Sequence, residues 1–178
     1  VISMAQYQAI ISHLPKHAAE IVTTAYNTGM RAGEILGLTW DRVNMKEGYI
    51  DLSAEDTKTS EPRRIFFNDD LKEMFAGLGK IRRIRHQHVF TYRGKPITTI
   101  RSSFQVACAK AGIKDFRFHD LRHTFNTNMR RAGVDRSVIR KITGHNTTAM
   151  FERYNTVDSK EARTAMSRFD GYLRNEIT

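Results

Sequence analysis

The run Arg117-Phe118-His119-Asp120-Leu121-Arg122-His123-Thr124-Phe125 sets a guanidinium between two imidazoles one helical turn apart. On a helix, positions three and four apart are neighbours, so His119, Arg122 and His123 are expected on one face. Leu121 and Phe125 fall on another and read as core anchors. Cationic and hydrogen-donating groups beside an apolar anchor suit the holding of an anion. Two other readings are open on these residues alone. The histidines could be surface or packed side chains with no chemical task. Alternatively, His119-Asp120-Leu121-Arg122-His123 could imitate the zinc motif H-E-x-x-H. Asp120 is one methylene shorter than the glutamate base of that motif. Arg122 on the ligand face would repel a divalent cation.

Four further blocks stand elsewhere in the chain. Gly29, Arg31, Glu34, Leu38 and Trp40 fit the spacing G-x-R-x-x-E-x-x-x-L-x-W. Thr57-Lys58-Thr59 precedes Arg63-Arg64. Gly144-His145 is followed by Arg153-Tyr154. Each block has an ordinary explanation. Arg31 and Glu34 could be a helical pair worth roughly a few tenths of a kcal/mol. Lys58 could be a solvated loop lysine. Tyr154 could be a packing residue, like Tyr7, Tyr26, Tyr49, Tyr92 and Tyr172.

Taken together and in this order, the blocks resemble the tyrosine recombinases, the phage-integrase family, from about Ser3 to Val157. Two positions depart from the family pattern without touching its catalytic residues. Ile142-Thr143 stands where a leucine commonly precedes Gly-His, and Asn155-Thr156 follows the tyrosine where threonine and histidine are common. Type IB topoisomerases share most of these residues but usually carry a lysine where His119 stands. A non-catalytic DNA-binding module of the same fold is the other alternative.

The resemblance implies a site-specific recombinase that cuts and rejoins DNA by transesterification, with no metal and no cofactor. Tyr154 is the implied nucleophile and leaves a 3′-phosphotyrosine. Arg31 and Arg122 neutralise the non-bridging oxygens. Lys58, on a β-hairpin, protonates the leaving 5′-oxygen. His119 accepts the tyrosine proton, and His145 donates to a non-bridging oxygen. Glu34 supports Arg31. Such residues meet the chemical need. A free phenol has a pKa of about 10, and a metal-free phosphoryl transfer needs fixed cationic donors.

The chain of 178 residues carries 29 Lys and Arg against 19 Asp and Glu, a formal charge of +10. That excess favours a polyanion, because each phosphate neutralised releases counterions. Double-stranded DNA is the expected partner. Arg63, Arg64, Arg83, Arg140 and Lys141 are expected to grip phosphates. The resemblance adds a homo-tetramer on two duplexes for the full-length protein, and leaves a monomer open for the isolated domain. No apolar run approaches the roughly 20 residues that span a bilayer. With no signal-peptide pattern either, a cytoplasmic setting in a bacterial host is expected. The single cysteine, Cys108, excludes an internal disulfide and reads as a small core residue. The chain, residues 1–178, reads as one catalytic domain cut from a longer protein, without the family's N-terminal core-binding domain.

These residues need elements to position them. Ser3 and Gln6 form a capping box for a first helix. Pro15 separates it from a second helix over 16–27, which Gly29 ends. A third helical piece carries Arg31 to Leu38. Strands are expected over 49–52, 64–67 and 88–92, with Asp56–Ser60 as a turn and a helix capped by Asn68. Helices follow over 99–111, 118–132, 135–143, 147–154 and 159–174. The fold class is mainly α with a small antiparallel β-sheet (α+β), the tyrosine recombinase catalytic-domain fold. In relatives a C-terminal helix such as 159–174 docks on a neighbouring protomer, through apolar residues like Ala162, Ala165, Met166 and Phe169.

Overall fold

A computed structural model describes residues 1–56, 62–82, 86–144 and 159–175. Helix α1 (Met4–Ser12) starts at the capping box. The Ser3 side chain accepts from the Gln6 N–H, and Gln6 returns the bond to the Ser3 N–H. Helix α2 (Lys16–Thr28) follows Pro15 and stops at Gly29, which is left-handed with φ 64°. Arg31 then caps the short helix α3 (Ala32–Leu36). A turn of 3-10 helix over Trp40–Arg42 leads into the sheet.

The sheet holds β1 (Val43–Asn44), β2 (Tyr49–Leu52) and β3 (Arg63–Phe66), antiparallel in that order. Ile50 pairs with Ile65 and Leu52 with Arg63, whereas Asp51 pairs with Arg64. Side chains alternate across a strand. Ile50, Leu52, Ile65 and Arg63 are therefore buried together, and Asp51 and Arg64 face solvent. The strand expected at 88–92 is only a bridge between His88 and Thr39 followed by a small hairpin. In that hairpin β4 (Thr91–Tyr92) and β5 (Lys95–Pro96) flank Arg93 and Gly94, both with positive φ. Two consecutive left-handed residues make the tight turn that matches strand twist.

Helix α4 (Asp69–Ile81) begins at Asn68, whose side chain accepts from the Leu71 N–H at 3.1 Å. It is followed by α5 (Arg101–Lys110), α6 (Asp120–Arg131), α7 (Arg136–Thr143) and α8 (Ser159–Asn175). Asp135 caps α7 by accepting from the Ser137 N–H at 2.7 Å. The helix expected over 147–154 and most of the 56–60 turn lie outside the described residues.

Helices α2 and α6 cross at the centre of the core, with Ile21, Val22 and Ala25 on one and Leu121, Phe125 and Met129 on the other all buried. Cys108 is buried as well. The apolar face of α8 does not wait for a neighbouring protomer. Ala162, Ala165, Met166, Phe169 and Leu173 are buried within their own chain. Phe169 meets Phe125 of α6 edge-on at 5.3 Å. The helix packs its apolar face on α6 and β3. Among the described residues no helix is long and apolar enough to cross a membrane.

Candidate active site

Two helix ends build the site. Both α2 and α7 close on a left-handed glycine, Gly29 at φ 64° and Gly144 at φ 67°. The carbonyls of those glycines lie at the negative ends of their helices, where cations are favoured. An arginine reaches each one. Arg122 Nη1 donates to the Gly29 carbonyl at 2.7 Å across 93 residues of chain. Arg31 Nη2 donates to the Gly144 carbonyl at 3.1 Å across 113 residues. A side chain on either glycine would be obstructed as well as strained. A Cβ at Gly29 would lie 2.6 Å from the Phe125 ring, and one at Gly144 would lie 2.8 Å from Arg63 Nη1.

Glu34 organises the arginines. One carboxylate oxygen accepts from the Arg31 N–H at 2.8 Å, and the other from Arg31 Nη1 at 3.1 Å. This is the pattern of a third helical residue reaching back to the cap. The same carboxylate accepts from Arg63 Nη2 at 2.6 Å. Arg63 Nε donates to the Ile142 carbonyl at 3.0 Å, near the end of α7. Arg63 was expected on the surface as a phosphate grip. It is instead buried, because β3 turns it to the same face as Ile65. The period-two alternation from Ile65 is the signal that could have found it.

Arg122 also departs from expectation. His119 and His123 are exposed with rings 5.3 Å apart, whereas Arg122 is 2% exposed. At 100° per residue Arg122 lies about 60° from His119 and about 60° from Phe125, on the edge of the core stripe. Its long stem follows Phe125 inward, so the three residues do not present one face. His119, exposed just before α6, is near enough to Arg122 and Arg31 for their charges to act on it.

The electrostatics are those of an unmatched cationic site. Burial, reinforced by Arg31 and Arg63, pushes the Arg122 guanidinium down to about 10, and Glu34 opposes this. Arg122 remains charged at neutral pH. Partial desolvation lowers the His119 imidazole below its usual value. His123, Arg122 and Arg31 act in the same direction and Asp120 against it. Both lowering influences favour the neutral imidazole, the form that can accept a proton. Three guanidiniums thus surround one carboxylate among the described residues, a surplus suited to an anion with oxygens on several sides.

Lys58, His145 and Tyr154 lie outside the described residues, as does Arg83. Arg64 is exposed, 3.0 Å from Asp51 and 4.0 Å over the Tyr49 ring. Arg140 is exposed on α7. Lys141 is only partly exposed, and its Nζ is buried without a hydrogen-bond partner among the described residues. The surface grip expected of Lys141 is therefore not how this side chain is disposed.

The sequence matches the profile of the phage integrase family over residues 1–161. It is 28% identical over 163 residues to the integrase of Salmonella phage P22, covering 82% of this chain and 40% of that protein. It is 26% identical over 155 residues to the tyrosine recombinase XerC of Staphylococcus carnosus, covering 80% of this chain and 50% of that protein. The chain therefore spans half or less of the length of these relatives. Its fold matches the integrase of mycobacterium phage Brujita with a TM-score of 0.75 at 19% identity, over 99% of this chain and 62% of that one. It also matches a lambda integrase tetramer bound to a Holliday junction with a TM-score of 0.67 at 19% identity, over 87% and 47% of the respective chains.

Proposed function

The chain belongs to the phage integrase family, and from that membership we propose that it is the catalytic domain of a site-specific tyrosine recombinase acting on double-stranded DNA. One observation carries the proposal. Arg31 and Arg122 are drawn from distant parts of the chain onto two helix-end carbonyls, with a cationic surplus that a phosphodiester would neutralise. A lone buried cluster of this sign is costly, and it is favourable where charge develops in a transition state.

The Tyr154 hydroxyl attacks phosphorus as its proton passes to His119. The P–O bond to the 5′-oxygen breaks, and Lys58 protonates that oxygen. The 3′ end is left as a phosphotyrosine. A 5′-hydroxyl of the partner strand reverses the step, so the bond energy is conserved in the covalent intermediate. Arg31 and Arg122 hold the non-bridging oxygens, with His145 as a further donor. Arg64, Arg83 and Arg140 are proposed to contact flanking phosphates. The same reading supplies an N-terminal core-binding domain outside this chain, a cytoplasmic setting in a bacterial host and a homo-tetramer on two duplexes. The tetramer is the state in which the fold neighbour lambda integrase is seen on its junction.

The test is a suicide substrate: the full-length protein, a nicked duplex carrying its attachment site, and chelator. A covalent protein–DNA adduct is expected, and Tyr154→Phe should form none while still binding. Arg31→Ala and Arg122→Ala should slow cleavage by about 100-fold or more, with much smaller losses in binding. Equal losses in binding and cleavage would sink the transition-state role of the arginines.

A further inference from the structure

Arg63 has no part in the proposed reaction, yet it lies among the residues that do. Its side chain is 5% exposed and Glu34's is 3% exposed. Two nitrogens are engaged, Nη2 on Glu34 and Nε on the Ile142 carbonyl. The third, Nη1, is buried under the Cα of Gly144 without a hydrogen-bond partner among the described residues. Arg63 thus ties three segments together: α3 through Glu34, its own strand β3, and the end of α7. Each leads directly to a residue of the reaction. Arg31 precedes α3 and shares Glu34. Lys58 precedes β3 by five positions. His145 follows Gly144.

A clamp needed only for the fold would be expected to match its charges, since a buried guanidinium with an idle donor is unfavourable. Here the carboxylate is shared between two arginines, so neither is fully neutralised. Glu34 fixed from one side by Arg63 can hold the Arg31 fork from the other while leaving that fork with net positive character. We infer that Arg63 is a positioning residue of the phosphate site, fixing Glu34, and through it the Arg31 guanidinium, against the last carbonyls of α7. This rests on the recombinase reading above.

A lysine at 63 would keep the charge but not the fork, so it could not bond Glu34 and the Ile142 carbonyl together. The experiment compares Arg63→Lys and Glu34→Gln with the wild-type full-length protein, below the melting temperature of all three. Two nicked suicide duplexes are used. One has an ordinary scissile phosphate. The other has a methyl group in place of one non-bridging oxygen and is uncharged there. On the ordinary phosphate, at saturating DNA, both variants should form adduct about 30-fold or more slowly. DNA affinity should stay within about threefold. On the uncharged substrate the defect should shrink to about threefold or less, because the charge that Arg31 must meet is gone. Equal defects on the two substrates would show a general structural loss and overturn the inference, as would wild-type rates. If the wild-type protein formed no adduct on either duplex, the recombinase reading would fail and take this inference with it. That failure is visible before any variant is made.

Discussion

Arg63 and Arg64 are adjacent on one strand and face opposite ways. Arg63 is 5% exposed and lies 2.6 Å from a Glu34 carboxylate that is itself 3% exposed. Arg64 is 42% exposed and lies 3.0 Å from an Asp51 carboxylate that is 52% exposed. By residue type the two are the same, and a basic dipeptide after Thr57-Lys58-Thr59 reads as a pair of phosphate contacts. The strand separates them. The inner pair sits in low dielectric, where an unpaired charge is costly and a fixed one acts strongly. The outer pair is solvated and screened. Net charge attracts the polyanion to the surface, but only cations held as Arg31 and Arg122 are held can act on one chosen phosphate, with Arg63 fixing the carboxylate behind Arg31.

The largest effect expected from this contrast is on stability. Arg63→Met removes one partner of a buried pair, a change that typically costs about 3–5 kcal/mol. Glu34 keeps its two bonds from Arg31, so the loss should fall near about 3 kcal/mol. Urea denaturation of the chain would measure it, and a loss below that of Arg64→Met would break the comparison. Next is Gly144→Ala. At φ 67° its side chain would be strained by about 1–2 kcal/mol, and its Cβ would lie 2.8 Å from Arg63 Nη1. In an Arg63→Met background the obstruction is relieved and the strain remains. A double-mutant cycle should therefore give a clear coupling between 63 and 144. Zero coupling would mean that the two do not press on each other. Smaller again is Arg64→Met, expected below about 1 kcal/mol. Its effect should fade at 1 M salt, where screening reaches about 3 Å, while the Arg63 effect persists. An Arg64 effect that resists salt would erase the distinction.

Much of this was legible beforehand. The capping signals at Ser3 and Asn68 act locally, so they survive translation into structure unchanged. The same holds for Gly29, whose stop signal needs only its own backbone. The blocks that hold Arg31, Glu34, His119 and Arg122 were readable together through their resemblance to the family pattern. What escaped depends on contacts distant in sequence. Arg63 has the charge of a surface residue, and only its register opposite Leu52 turns it inward. Arg122 was assigned to the exposed face with the histidines, because helical spacing alone does not say how far the core stripe extends. The apolar face of α8 fitted either a neighbour or its own chain. Phe125 and the flank of β3 decide for its own chain.

The smallest effect separates the exposed His119 from the buried arginines. A guanidinium as a side-chain type does not switch charge in the ordinary pH range. His119 does. Its folded pKa lies below the usual 6.5, chiefly from desolvation and then from His123, Arg122 and Arg31. Between the lowered value and 6.5 the unfolded chain binds a proton that the folded chain does not. Stability then rises with pH through that window, is complete above 6.5, and is lost as pH falls through the folded value. His119→Gln should flatten this rise. The other histidines contribute to both proteins, so the difference between the two profiles isolates position 119. Because His119 is exposed, the difference should be small beside the changes at 63 and 144. Urea midpoints taken from pH 5 to 7.5 would check it. Parallel profiles would mean that neither partial desolvation nor the neighbouring cations lower His119, and the added bias toward the neutral imidazole would lose its physical basis.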